Sequence, residues 1–296
     1  MCGIVGLFLK NPALEPELGR LLRDMLAVMG DRGPDSAGFA VYAPGAQDKI
    51  KLTLRSEDEP AAAVLGELEA AHALSLDAVV RDRHAVAAVP KAEEAAVLSW
   101  LAERPDVEVV GVGRSMELYK EVGPPAGVAD RFGLGRMSGT HGIGHTRMAT
   151  ESSVTTAGAH PFSTGADQCL VHNGSLSNHN AVRRRLRREG LEFRTENDSE
   201  VAAGYLTWRM REGASLEAAL QAALADLDGF YTFVVGTETG FAVLRDPIAC
   251  KPAVMAETDD YVAFGSEYRA LAGLPDIDAA RVFEPEPATV YAWERG

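Results

Sequence analysis

Cysteine is scarce in this 296-residue chain, which has only Cys2, Cys169 and Cys250. Their odd number, without metal-ligand spacing, excludes a disulfide framework and a cysteine-held metal or iron–sulfur cluster. It points to a reducing compartment, with the cytoplasm as the expected location. Long apolar runs are also lacking. None approaches the roughly 18 to 20 residues of a membrane span, and the first residues lack the basic-then-apolar layout of a secretory leader, whose cleavage would remove Cys2. Positive charge is in deficit: 29 Lys and Arg against 43 Asp and Glu leave a net −14, which argues against nucleic acid or an anionic membrane as the main partner. Neither a phosphate-binding glycine loop with its lysine nor a dinucleotide fingerprint occurs, so no cofactor is expected in this chain.

What remains is an ordinary globular composition. With 46% hydrophobic and 24% charged residues, the chain can bury a substantial core as one large domain or two ordinary ones.

Residues 2–9 (CGIVGLFL) read as a buried strand ended by Asn11-Pro12. Residues 15–29 read as a helix, with Leu18, Leu21, Leu22, Met25, Leu26 and Met29 on one face and Gly30 ending it. A polar turn, Asp31 to Ser36, leads to a strand over 37–43. The span 49–122 changes character. Its strands and helices run βαββαβ, which predicts a small ferredoxin-like insertion, with Gly123-Pro124-Pro125-Ala126-Gly127 as exit linker. Strands over 142–148 and 168–171 follow, then an Asn-Gly turn, helices over 178–188, 199–211 and 215–227, and a hairpin over 230–244. Strands over 261–264 and 289–293 complete the pattern, an α+β sandwich of sheets flanked by helices.

Candidate chemistry begins at Cys2. If Met1 is removed, one residue carries both a thiol, of ordinary pKa about 8.5, and a free α-amine, of about 7.7 to 8.0, that can take its proton. The alternative is a small buried residue at the start of a strand. A thiol attacking an amide needs an oxyanion hole and a grip on the substrate's charges. Asn173 and Gly174, in His172-Asn173-Gly174, offer a side-chain amide and an unshielded N–H, although Asn-Gly is equally a hairpin turn. Arg147, in an apolar strand-like stretch, suits bidentate capture of an α-carboxylate or an internal salt bridge. Asp198 stands at a helix start, where it can face a substrate ammonium or serve as an N-cap. The run Arg183-Arg184-Arg185-Leu186-Arg187-Arg188 is either a docking patch for an acidic partner or a solvated helix face.

Together these motifs resemble the class II glutamine amidotransferases of the N-terminal-nucleophile hydrolase superfamily. The resemblance rests on MCGIVG (1–6), DRGPDSAG (31–38), GHTRMAT (144–150), AHPF (159–162), HNG (172–174), NDSE (197–200), RDPIACKP (245–252) and GSEYRAL (265–271). It implies an αββα sandwich across residues 1–296, interrupted by the insertion. It also implies that Cys2 forms a thioester with L-glutamine, with Asn173 and Gly174 as oxyanion donors, Arg147 on the α-carboxylate, Asp198 on the α-ammonium, and Arg32 organising the nucleophile side. Met148 and Glu151 depart from many relatives, so the outer pocket wall is expected to differ. Since the sequence ends where the hydrolase fold closes, the ammonia acceptor is expected on another chain. The resemblance is to the glutaminase subunit of a split glutamate synthase-like enzyme, of the N-methylglutamate synthase type, whose partner carries flavin and iron–sulfur clusters. A stand-alone amidase of another amino-acid-like amide and a non-catalytic regulatory subunit are the alternatives.

Overall fold

The computed structural model describes residues 2–57, 60–148 and 154–295. Two antiparallel sheets form the body. The seven-stranded sheet runs Arg281–Phe283, Val254–Glu257, Tyr261–Gly265, Gly3–Leu9, His141–Arg147, Ser36–Tyr42 and Met116–Val122. The five-stranded sheet runs Thr289–Glu294, Gly240–Arg245, Gly229–Gly236, Gln168–Leu176 and Phe162–Gly165.

Alternation along the first strand shows how the layers arise. Ile4 and Phe8 join Tyr42, Ile143, Val171, Val234 and Phe241 between the sheets, while Val5, Leu7 and Leu9 pack with the apolar face of helix Leu18–Val28. Gly6 shares the inner face with Ile4 and Phe8, and a Cβ there would come within 2.8 Å of the Phe241 ring. On the far side, Leu170, Phe233 and Val235 pack against helices Asp198–Arg211 and Leu216–Asp226 through Val201, Leu206 and Leu220. The layers are therefore helix, sheet, sheet, helix.

Helix Leu18–Val28 is pinned at its start. The Gly19 N–H donates to the Met137 carbonyl at 3.0 Å, and a Cβ at Gly19 would lie 2.1 Å from the Leu134 carbonyl oxygen. Gly19→Ala is expected to cost about 2–4 kcal/mol through forced separation of helix and turn, read as a lowered melting temperature. An unchanged melting temperature would contradict this packing.

The insertion has the expected element order and folds on its own four-stranded antiparallel sheet, ordered Asp77–Arg81, His84–Pro90, Lys49–Ser56 and Val107–Gly113. Helices Ala61–His72 and Glu94–Ala102 share its core through Val64, Leu68, Val97 and Leu101. This sheet ends at Gly113. Met116–Val122, inside the span expected for the insertion, pairs instead with Ser36–Tyr42 of the main sheet. The switch is enforced at a tight turn where the Asp167 carboxylate accepts the N–H groups of Arg114, Ser115 and Met116. The expected linker at 123–127 also becomes structure. Pro125 opens helix Pro125–Arg131, because a first-turn N–H has no partner to lose.

Five buried histidines, His84, His141, His145, His160 and His172, sit in this frame. Burial is the largest cause of each downward pKa shift: His84 and His145 fall to about 3, His141 to about 4, His160 well below the ordinary value, and His172 downward. Unfolded imidazoles take up protons near pH 6.5, whereas these do not until the pH is much lower. For His84, His141 and His145 the stability contribution is therefore full above about pH 6.5 and is lost as pH falls toward 4 and 3, at about 1.4 kcal/mol per pH unit for each, and His160 and His172 act in the same direction. Calorimetry between pH 7.5 and 5 should show the melting temperature falling with acidity. A flat profile would contradict neutral burial of these rings.

Candidate active site

Cys2 immediately precedes the strand Gly3–Leu9 and is half-buried. The pairing of Gly3 with Thr146, continued by one residue, sets Cys2 across from Arg147. Arg32, buried in the turn after the first helix, donates from Nε to the Cys2 carbonyl at 3.0 Å and from Nη1 to Glu267 Oε1 at 2.5 Å. The Arg32 hydrogen bond, the largest cause, holds the Glu267 carboxyl below its ordinary value, with Arg269 adding to the effect. The same Cys2 carbonyl accepts from Asn173 Nδ2 at 3.3 Å. The backbone of Cys2 is thus held from two directions.

The Asn-Gly turn does not form. Asn173 pairs with Thr232 and Gly174 with Tyr231 inside the nine-residue strand Gln168–Leu176, because the antiparallel pairing continues through Leu176 and overrides local turn preference. The contact runs one step further, where Ser177 N–H donates to the Asp228 carbonyl and Asn178 Nδ2 to that of Asp226, before helix His179–Arg188 begins. Gly174 has φ +151°, and a Cβ there would lie 2.0 Å from the Phe230 carbonyl oxygen. Only glycine fits this position.

Asp198 is not the N-cap. That position belongs to Asn197, whose side chain accepts from Ser199 N–H at 2.9 Å. Asp198 is the first helical residue, where the helix N-terminus favours a carboxylate, and its Oδ2 accepts the Leu176 N–H at 2.9 Å. Arg147, half-buried at the end of its strand, donates from Nη1 to the Gly158 carbonyl at 3.2 Å. Exposed Met148 follows it. Residues 149–153, with the departure at Glu151, lie outside the described residues, as does Met1.

Sequence reasoning gave no role to three residues that the fold places here. Besides Glu267, buried His172 has Nδ1 2.8 Å from Ser199 Oγ and 3.7 Å from Asp198 Oδ1, and Ser199 Oγ lies 3.4 Å from Asp198 Oδ1. This contact ties the strand bearing Asn173 to the helix start bearing Asp198. The only sequence signal was their presence inside the HNG, NDSE and GSEYRAL motifs. Arg183, from the arginine run, is also structural: it is buried, pairs with Glu196 and donates to the Asn197 carbonyl, which braces the same helix start. Arg184, Arg187 and Arg188 are exposed.

The other thiols have different surroundings. Cys169 is buried 3.2 Å from the Tyr42 hydroxyl, with burial pushing its pKa up to about 12, while Cys250 is exposed. Among the described residues no group of His, Cys, Asp and Glu is placed to hold a metal ion, and no helix is long and apolar enough to cross a membrane.

Known proteins match this chain over its length. It is 62% identical over 296 residues to the glutamine amidotransferase-like protein GlxB of Rhizobium meliloti, covering 99% of this chain and 98% of that one. This chain belongs to the class II glutamine amidotransferases. Residues 145–273 match the family described as glutamine amidotransferase domain, a span containing Arg147, Asn173, Gly174 and Asp198. A Methanothermobacter thermautotrophicus protein provisionally named a glutamine amidotransferase is 32% identical over 311 residues, covering 98% of this chain and 99% of that one. Among solved structures, the glutamine phosphoribosylpyrophosphate amidotransferase of B. subtilis has a TM-score of 0.61 at 19% identity, covering 99% of this chain and 49% of that one. That likeness concerns the fold: the sandwich of this amidotransferase corresponds to about half of the longer chain.

Proposed function

We propose that this amidotransferase hydrolyses L-glutamine to glutamate and ammonia through a thioester on Cys2 after removal of Met1. The observation that carries the reading is the shared grip of Arg32 and Asn173 on the Cys2 carbonyl, which brings the nucleophile's residue to the oxyanion candidates. The Cys2 α-amine takes the thiol proton, and Sγ bonds to the side-chain carbonyl carbon of glutamine. The developing oxyanion accepts from Asn173 Nδ2 and Gly174 N–H. The carbon–nitrogen bond then breaks, with the ammonium formed from the α-amine returning its proton to the departing nitrogen, and water hydrolyses the thioester.

Arg147 binds the α-carboxylate and Asp198 the α-ammonium. A substrate lacking either charge leaves its partner unpaired in a partly desolvated site, at a cost of about 3–5 kcal/mol. Arg32 and Glu267 fix the position of Cys2, and His172 with Ser199 steadies the Asp198 carboxylate.

The ammonia passes to a separate synthase subunit in the cytoplasm. A relative at 62% identity over 99% of the chain is named a glutamine amidotransferase-like protein, which supports the glutamine-hydrolysing part of this reading. The partner in this reading is of the glutamate synthase-like, N-methylglutamate synthase type and carries the flavin and iron–sulfur chemistry for which these three scattered cysteines provide no ligand set. The test is to purify the protein with its native associates and measure ammonia release from glutamine and from γ-glutamyl amides, with and without the companion. Glutamine turnover that rises with the companion is expected. No turnover of glutamine in either setting would overturn the reading.

A further inference from the structure

Two exposed valines stand side by side on an outer strand. Asp77–Arg81 is the edge of the insertion's four-stranded sheet, paired with His84–Pro90 on one side and with no described strand on the other. Val79 and Val80 point to opposite faces and are 47% and 45% exposed, so neither face of the strand is fully covered at its centre. Outer strands of monomeric proteins are commonly guarded by a lysine, a proline or a bulge. The strand Asp-Ala-Val-Val-Arg has no such guard, and its pairing with His84–Pro90 is unbroken from Asp77 to Arg81.

The turn after the strand fixes which backbone groups face the open side. Arg81 pairs with His84 across the two residues Asp82 and Arg83, with Asp82 at φ +55°. The pair that closes such a turn exchanges both of its hydrogen bonds, and bonded and non-bonded pairs then alternate along an antiparallel ladder. Asp77, Val79 and Arg81 therefore bond inward to the neighbouring strand. Ala78 and Val80 turn their N–H and C=O groups outward.

The order of side chains is self-complementary. With a second copy of the strand laid antiparallel along this edge and Val79 opposite its counterpart, Ala78 falls opposite Val80 and Asp77 opposite Arg81. Ala78 and Val80 then exchange the groups that face outward. Each end brings a carboxylate to a guanidinium, and the two Val79 side chains meet at the non-bonded position, where Cα atoms approach to about 4.5 Å. Centring the pair on Ala78 or on Val80 instead separates Asp77 from Arg81 at both ends. Charge thus selects the register centred on Val79.

We propose that the insertion joins two copies of this chain through this outer strand, which pairs antiparallel with its counterpart so that the two small sheets become one. A two-fold pair consumes the edge of both copies, so association stops at the dimer. One short strand buries less than a permanent interface needs, and the dimer therefore forms with rising concentration. The insertion gains a role outside the catalytic site, and this role does not rest on the glutaminase reading.

Sedimentation velocity of the full-length protein between about 1 and 500 μM should show a monomer passing to a dimer. Val80→Pro removes an outward N–H while sparing the bonds to His84–Pro90, and should weaken dimerisation at least about tenfold. Asp77→Arg, which sets like charges opposite each other, should weaken it similarly. Arg81→Asp should do the same alone, and an equimolar mixture of folded Asp77→Arg and Arg81→Asp proteins should recover dimers, because each copy then presents the charges its counterpart lacks. Arg81 lies 5.9 Å from the Tyr119 ring centre; if its replacement does not fold, Val80→Pro and Asp77→Arg still decide. A protein that stays monomeric at about 500 μM, or a dimer that Val80→Pro and Asp77→Arg leave intact, overturns the proposal. A mixture of the two folded charge variants that stays monomeric overturns the register.

Discussion

Replacing Cys2 with alanine should lower glutamine hydrolysis by a factor on the order of 10⁴ or more while leaving the melting temperature nearly unchanged. Substituting one sulfur atom at a half-buried position removes little packing, and the carbonyl that Arg32 and Asn173 hold belongs to the backbone and survives the change. Cys169 is a poor substitute, because it is fully enclosed and its thiol pKa is pushed up to about 12. Loss of ammonia release at constant stability would place the chemistry on Cys2. Undiminished release would exclude thiol catalysis at this position.

The second large effect is expected at Arg147. Arg147→Leu should raise the glutamine KM on the order of 10² to 10³-fold, with a much smaller change in kcat. The α-carboxylate lies remote from the reacting amide, so its contact contributes alike to ground and transition states, and such uniform binding appears in KM. The strand itself should tolerate the change, since Arg147 pairs with Ser36 through backbone groups. A kcat collapse at unchanged KM would instead place Arg147 next to the reacting carbon. Steady-state kinetics on the purified variant distinguishes the two outcomes.

The elements whose side chains declare a period were legible in the sequence. The leucine face of residues 18–26 announced the outer helix, which buries one face, and the short apolar run of residues 2–9 ended by Asn11-Pro12 announced the central strand, which is buried on both. The insertion's βαββαβ order was legible for the same reason. Short strands such as Phe162–Gly165 and Arg281–Phe283 carry too few residues for a period and exist only through their neighbours. Met116–Val122 was lost because its sheet is decided by the Asp167-held turn that precedes it, a contact across more than fifty residues.

At the site, the chemistry-bearing types were legible and their supports were not. Cys2, Asn173, Gly174, Arg147 and Asp198 stand out by chemistry and motif. That Asn173 and Gly174 lie in a strand depends on pairing with Thr232 and Tyr231, which local turn preference contradicts. His172, Ser199 and Glu267 act through other residues, and only three-dimensional proximity shows the connection.

One measurement tests the central claim most directly. The purified protein is treated with a diazoketone analogue of glutamine, and its intact and peptide masses are determined. The account predicts a chain that has lost Met1 and carries a single adduct on Cys2, with adduct formation suppressed by glutamine. An adduct on Cys169 or Cys250, or none on a processed and folded protein, would contradict it.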